Sequence, residues 1–596
     1  MSDILSPEID VPTHRGFTAR AVVTGMVLGG GLSLCNIYLG LKIGWGMNMA
    51  ITAALLGFAL WSGLVRALRL RPFGMLENNM SQMSASAAAA ISSAGLVAPI
   101  PALTMLNGTV LTWPQLSAWV LSVGLVGVVA AIGVHKQLLG DPTLRFPSGI
   151  ATAHTLKEMY AHGAEAVARV KMLLWGGVAG ATSKLLNVLL HPSNLMVPVT
   201  FGAGGRIPNG YSLANLTVSL EPSLLMIATG GIIGLRSALS MLLGAVVAWG
   251  ILAPITLERG WMMVGPADPL KPWFSTSVQW LLWPGVTLMV VGSLTSFAYS
   301  GPAILASLLR PRATSSTGGA DPRDVSRRAY YVALVLVILG SCGMQIALFD
   351  IKPWLSVVAV ALSFGLAIVA GRVSGETAVT PVSAMGKVTQ LTFGVIDPSN
   401  VASNLMSANV TGGAASQCAD LLHDLKAGAL LGSWPKHQAV AQAAGVLAGA
   451  LVGSAAYLVL LPDPANQLMT DQWPAPSVAT WKAVAELFQK GLSAMPPYAM
   501  EAMTIAAAVA IGLVLTEKRG PKAWRAWTPS PVSIGLAFTI QAYTVLAFLL
   551  GATIMALGER YAPKWTGRFG IVLCAGVIAG ESIIGVGDAF WKMFGG

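Results

Sequence analysis

LSAWVLSVGLVGVVAAIGVH, residues 116–135, contains no Asp, Glu, Lys or Arg and stops at Lys136. Twenty such residues wound at 1.5 Å each reach about 30 Å, the hydrocarbon thickness of a bilayer. Comparable runs lie at 21–41, 47–65, 83–104, 172–190, 223–236, 239–257 and 281–309. After a polar stretch they resume at 330–349, 354–370, 438–461, 498–516, 532–557 and 569–590, fourteen candidates in all. The composition agrees: 54% of the 596 residues are hydrophobic and 10% charged, and the mean hydropathy is +0.68. A soluble domain carries roughly 25% charge. A soluble enzyme, a disordered chain and a disulfide scaffold are therefore excluded. The expected class is an all-α polytopic membrane protein.

The remaining bulk features fit that class. Gly and Pro are abundant, at 66 and 34 residues, and membrane helices tolerate both. The net charge of +11 comes from basic residues in short loops, so topology explains it and nucleic acid is not an expected partner. Cys35, Cys342, Cys418 and Cys574 stand isolated in apolar sequence and read as small buried hydrophobes. Residues 1–20 are polar and include Pro7, Glu8, Asp10 and Pro12. They read as a cytoplasmic tail followed by a retained first helix, not as a cleavable leader.

Arg66, Arg69 and Arg71, Lys136 and Arg145, the arginines of 310–328, and Lys518 to Arg525 follow alternate spans. The positive-inside rule puts all of these loops, and the N-terminus, in the cytoplasm. The polar region 371–437 must then begin and end on one side. Two crossings give sixteen segments with both termini cytoplasmic, whereas re-entrant hairpins give fourteen. The segment 310–329 reads as a cytoplasmic linker between an N-terminal half, 21–309, and a C-terminal half, 330–596. SGIATAHTLKEMYAHG (148–163) and GAASQCADLLHDLKAGALLG (413–432) faintly echo one another, with Lys157 and Lys426 as counterparts. An internal repeat is a common basis of secondary transporters.

Ionisable groups inside a membrane need a reason to be there. Lys42 lies in NIYLGLKIGWGMN (36–48), either as a snorkelling loop lysine or facing a cavity with Asn36 and Tyr38. Asp420, His423 and Asp424 fall at i, i+3 and i+4 on one helical face, suited to protons or a cation, or else to surface salt links. Glu376 and Glu581 each have a glycine five residues before and another directly before. Each reads as a proton-coupling acid or as a carboxyl bonded to a neighbouring helix. NLMSANVTGG (404–413) is expected to unwind at Gly412 and Gly413, offering amides and free backbone to an organic solute. Ser148, in RFPSGIATAH, is its expected counterpart in the other half. The substrate-binding candidates are thus Asn36, Tyr38, Lys42, Ser148, Asn404, Asn409, Gly412, Gly413 and Gln417; those for coupling are Glu376, Asp420, His423 and Glu581. FGAGGRIPNG (201–210) lacks the context of a nucleotide loop, no Walker motif occurs, and no HExxH metal site is present, so no cofactor is expected.

NIYLGLKIGWGMN (36–48), RFPSGIATAHTLKEM (145–159), the block 371–432 and AGESIIGVG (579–587) resemble the oligopeptide transporter family, specifically its bacterial members. The resemblance covers about 15–590. It implies sixteen segments in two pseudo-symmetric halves with broken or re-entrant pieces, an inner-membrane location, and import coupled to a proton gradient. It also implies small peptides or metal chelates of the nicotianamine or siderophore type as substrates. The chain lacks the NPG and KIPPR-type signatures of the eukaryotic peptide branch, and its central block looks closer to the metal-chelate branch. A proton-coupled importer of small oligopeptides is the leading expectation and a chelate importer the alternative. A passive channel and an intramembrane enzyme are the other classes weighed, and the sequence offers no nucleophile–base pair for the last. The expected partners are peptides or chelates, protons and lipid, with a homodimer left open.

Overall fold

Without water at membrane depth, backbone N–H and C=O groups must bond within their own segment, and long apolar runs become helices. The computed structural model describes residues 16–593 apart from 143, 162, 191–194, 197–199, 202–209, 221–222, 310–320, 378–379, 381, 492–494 and 526. Residues 1–15 of the expected tail, 310–320 of the expected linker and most of the 201–210 loop lie outside the described residues.

The chain opens with α1 (Ala19–Ile43) and α2 (Ala50–Leu68), then the broken pair α3 (Met75–Ala89) and α4 (Pro99–Asn107). Next come α5 (Trp113–Leu139), α6 (Pro147–Ala161), α7 (Gly163–Leu190) and α8 (Leu224–Ile233). α9 (Leu235–Ala245) joins α10 (Ala253–Arg259) through a π segment, and α11 (Phe274–Leu309) comes after it. The later part holds α12 (Arg327–Phe349), α13 (Pro353–Thr377), α14 (Val382–Ile396), α15 (Val401–Leu431) and α16 (Pro435–Leu460). Then come a one-turn α17 (Pro464–Gln467), α18 (Pro476–Lys490), α19 (Ala499–Arg519), α20 (Lys522–Arg525) and α21 (Pro531–Ala537). α22 (Ala542–Tyr561) and α23 (Pro563–Trp565) lead through a second π segment into α24 (Ile571–Met593). Between α7 and α8, Leu195–Met196 pairs antiparallel with Ser219–Leu220, and Thr200–Phe201 with Tyr211–Ser212.

Among the described residues, twelve helical stretches are long and apolar enough to cross a membrane. Two expected spans differ from that pattern, and the region 371–437 adds to it. The run 223–236 contains a ten-residue helix stopped by Gly234 at φ 82°, about 15 Å and too short to cross. The run 83–104 is broken: α3 ends at Ala89, a 3₁₀ turn occupies Ala90–Ala94, and Gly95 at φ 125° redirects the chain into α4. Region 371–437 contains α14 and the 31-residue α15, the latter about 46 Å long. Asp397, just past α14, bonds Lys352 at the start of α13 at 3.1 Å, so α14 returns to the face that α13 left. α15 then runs back across.

α15 is the hub. It packs on α3, α4, α5, α6, α12, α13, α14, α16 and α18. Almost every side chain on it is buried, including Ser403, Asn404, Ser407, Asn409, Thr411, Gln417, His423 and Asp424. Protein surrounds it in place of lipid, and for that reason its sequence can be so polar. Several basic loops converge on one face of the molecule. Asp324 pairs with Lys136 at 2.5 Å, the N–H of Lys436 donates to the Arg323 carbonyl at 3.3 Å, and Phe17 stacks on His437 at 4.8 Å.

Candidate functional site

Three interruptions in helical backbone meet around one cavity of about 460 Å³. The first is the extended segment after α1. Gly44, at φ 92°, ends the helix by bonding its N–H to the Gly40 carbonyl. Asn36 holds the extended backbone in place: its Nδ2 donates to the carbonyls of Met47 and Ala89, both at 3.0 Å, and its Oδ1 accepts the Met47 N–H at 2.9 Å. One buried amide therefore ties the loop to the end of α3. The second interruption is the α3–α4 break, which contributes Ala90, Ser92 and residues 97–99. The third precedes α14 and contributes Thr380, Val382 and Ser383. The start of α18 closes the side, with Ser477 Oγ donating to the Gly44 carbonyl and Trp481 forming wall.

The opposite wall is one stripe of α15: Asn409, Gly412, Gly413, Ser416 and Asp420. Their spacing of three and four residues keeps them on a single face. Asn409 Oδ1 accepts the indole N–H of Trp119 at 2.8 Å, which sets the amide's orientation. The polar part of the lining is thus amides, hydroxyls, glycine backbone and a single carboxylate, Asp420, set among indoles and the apolar Met47, Met49, Val97, Pro99 and Val382.

The expected unwinding at Gly412 and Gly413 does not occur, for α15 is continuous from Val401 to Leu431. Buried on all sides, a break there would strand backbone groups without partners. Instead the glycines leave room for the cavity: the atom closest to a Cβ built on Gly412 is 3.7 Å away.

Of the other candidates, Asn36 and Asn409 line the cavity, while Asn404 and Gln417, also on α15, do not. Asn404 exchanges bonds with Gln390 (3.1 and 2.6 Å), and Gln417 Nε2 reaches the Ala87 carbonyl at 3.4 Å. Tyr38 and Lys42 sit against Trp473, at 5.4 and 5.5 Å from its ring centroid. Ser148, on α6, uses its carbonyl to accept from Thr152. Neither group belongs to the cavity wall.

Among the coupling candidates, Asp420 lines the cavity. His423 does not, but it is linked to the wall: Thr380 Oγ1 donates to Ser374 Oγ at 3.2 Å, and that hydroxyl lies 2.7 Å from His423 Nε2. Glu581 accepts the Ser223 hydroxyl at 3.0 Å and the Leu225 N–H at 2.7 Å, capping the N-terminus of α8. Glu376 is exposed at the end of α13. Lys387 is a residue that sequence reasoning leaves out of the site. It is fully buried behind Trp481, 4.3 Å from the ring centroid, and donates to Gln390 Oε1 at 2.8 Å. Its signal is a lone lysine in the apolar stretch SAMGKVTQLTF.

A family model described as OPT oligopeptide transporter protein matches residues 16–592. The chain is 26% identical to a putative oligopeptide transporter of Saccharomyces cerevisiae, YGL114W, covering 96% of both chains. It is 25% identical to a putative oligopeptide transporter of Haemophilus influenzae, over 93% of this chain and 92% of that one. It is 23% identical to a probable metal-nicotianamine transporter of Oryza sativa, YSL9, over 96% of this chain and 89% of that one.

Proposed function

The chain belongs to the OPT oligopeptide transporter family, and from that premise we propose that it is a proton-coupled importer of small oligopeptides. The family is one of transporters, not enzymes. The observation that carries the reading is the cavity, whose amides, hydroxyls and free backbone suit the alternating donors and acceptors of a peptide. A volume of about 460 Å³ fits a solute of a few residues, not a bare ion.

Proton coupling falls to α15. Asp420 faces the cavity, and the Thr380–Ser374–His423 relay leads from the same wall toward the charged face. Helix breaks on either side of the cavity supply points at which one part can rock against another. The arginines and lysines of the basic face support placing it on the cytoplasmic side; a bacterial inner membrane is part of the same proposal. In the arrangement we propose, α3–α4, α14, α15 and the short α8, which does not span by itself, bring the twelve apolar stretches to sixteen segments.

A second reading is import of metal chelates, supported by the 23% identity to the rice metal-nicotianamine transporter along 96% of this chain. Proteoliposome uptake under an imposed proton gradient decides between the two, comparing labelled di- to tetrapeptides with iron–nicotianamine. Saturable peptide uptake, abolished by a protonophore and by Asp420→Asn, is the expected result. Chelate uptake without peptide uptake overturns the substrate assignment. Ohmic conductance without a gradient overturns the carrier in favour of a channel.

A further inference from the structure

One helical turn beyond the cavity, on two helices at once, the lining gives way to a buried polar seam. Ser86 and Asp420 line the cavity; four residues on toward the basic face stand Gln82 on α3 and Asp424 on α15. Gln82 Nε2 donates to Asp424 Oδ1 at 2.9 Å, and Gln438 Nε2, from α16, donates to the Asp424 carbonyl at 3.0 Å. Gln82 and Gln438 are 0% exposed and Asp424 4%. Each turns one oxygen on which no hydrogen bond falls within the chain: Asp424 Oδ2, Gln82 Oε1 and Gln438 Oε1. Gln442, one turn along α16 and also 0% exposed, has neither amide atom bonded. Asp424 forms no salt bridge among the described residues.

We propose that these three helices build a seat for a small monovalent cation of sodium size beneath the floor of the cavity, with Asp424 as its charge. The donor set decides the class of ion. Three oxygens and one negative charge suit a hard monovalent cation; a divalent ion would keep a net charge in a low-dielectric site. A transition metal is disfavoured, because such ions select imidazole or thiolate and no cluster of three His, Cys, Asp or Glu suited to a metal occurs among the described residues. The cation resolves two defects together. It neutralises a buried carboxylate and gives orphaned acceptors a partner. Nearer the basic face, Asn79 donates to Ser433 Oγ at 2.9 Å, which continues the polar seam to the end of α15. The seat touches both α15 and α3, which also wall the cavity, so occupancy bears on how those two helices hold together. Its role in coupling rests on the transport reading; its existence does not.

The test is the thermal midpoint of the purified full-length protein at fixed pH and ionic strength, in sodium, potassium or choline chloride. A saturable rise specific to sodium is expected in the wild type and in Glu559→Gln, an exposed control. Asp424→Asn and Gln438→Leu should both lose it; the second variant keeps the test open should the first fail to fold. A wild-type midpoint indifferent to the cation's identity overturns the seat, as does a sodium response that persists in both variants. A sodium response in a protein that moves neither peptide nor chelate keeps the seat and removes the function proposed above. Proton-driven uptake with no sodium response does the reverse.

Discussion

At the scale of single residues, the best-determined charge lies at the entrance to α1 and α3. Glu77 is buried on the first turn of α3, and its carboxylate accepts from Arg20 Nε at 2.8 Å, Thr18 Oγ1 at 2.8 Å and the Gly74 N–H at 3.1 Å. Arg20 also donates to the carbonyls of Arg71 and Pro72 and stacks over Trp61. Burial alone would raise the Glu77 pKa, but these donors outweigh it and hold the carboxyl below its usual value. Folding therefore gains from the ionised form above the unfolded pKa of about 4.3, and loses that gain as pH falls through the lowered folded value. Glu77→Gln should lower stability at neutral pH by about 2 kcal/mol, less than for a fully buried pair because Arg20 is partly exposed. The gap between wild type and variant should close on acidification, which thermal midpoints between pH 3 and 7 would show. A gap independent of pH would refute the assignment. Individual site residues are legible in the sequence only in part. Asn36 and Asn409 stand out as amides in apolar runs and do reach the cavity, while Asn404 and Gln417 stand out equally and do not. Asn404 is out of helical phase with the stripe set by 409, 413 and 420, whereas Gln417 lies at the stripe's flank and is turned away to the Ala87 carbonyl of α3. Lys387 is not legible as a neighbour of the site because its partner Trp481 lies almost a hundred residues away.

At the scale of elements, polarity and glycine content in 404–413 are legible, but their structural meaning is not. A glycine pair in a polar stretch reads as a break until the neighbours are known. Here nine helices pack on α15, and continuity of its hydrogen bonds wins. Gly412→Ala should then be close to neutral, within roughly 0.5 kcal/mol, since the nearest atoms to a Cβ stand at ordinary contact distance. Gly412→Phe should leave the protein monodisperse but block the cavity, abolishing uptake; uptake at the wild-type rate would mean that solute passes elsewhere. Glycines on α7 and α24 do a different job. Gly176 and Gly180 face Gly576 and Gly580, and a Cβ on Gly180 or Gly580 would collide with the backbone carbonyl of Val577 or Gly177, respectively. Each helix thus carries a small-xxx-small face, which allows close backbone packing in lipid. Gly580→Leu should separate the two helices and cause aggregation on size-exclusion chromatography. A stable, monodisperse Gly580→Leu protein would show that the crossing tolerates several ångströms of separation.

At the scale of the whole molecule, the class of fold comes from apolar run length, because the bilayer imposes one thickness on every crossing. The way the crossings interleave does not, since contacts between distant helices depend on shape complementarity that one helix's sequence does not encode. α16 lies against α1, α3 and α5; α24 against α7 and α1; α22 against α8; and α12 against α5. The cavity has the same mixed origin, with Asn36 and Ser92 from the earlier part facing Asn409 and Trp481 from the later one. Neither part encloses the cavity by itself, and α15 would present a row of amides, a histidine and carboxylates to lipid if α3 and α5 were missing. Placing such groups in hydrocarbon costs roughly 2.5–3.5 kcal/mol for each charge on insertion scales. A chain cut after residue 315 should therefore yield two fragments, 1–315 and 316–596, that are unstable singly and recover together when co-expressed. Co-purification through a tag on one fragment, followed by uptake in proteoliposomes, measures the recovery. If fragment 316–596 were stable alone, in detergent and in lipid, the α3 and α5 contacts would not be what shields α15, and the cavity would have to be regarded as belonging to one part of the chain.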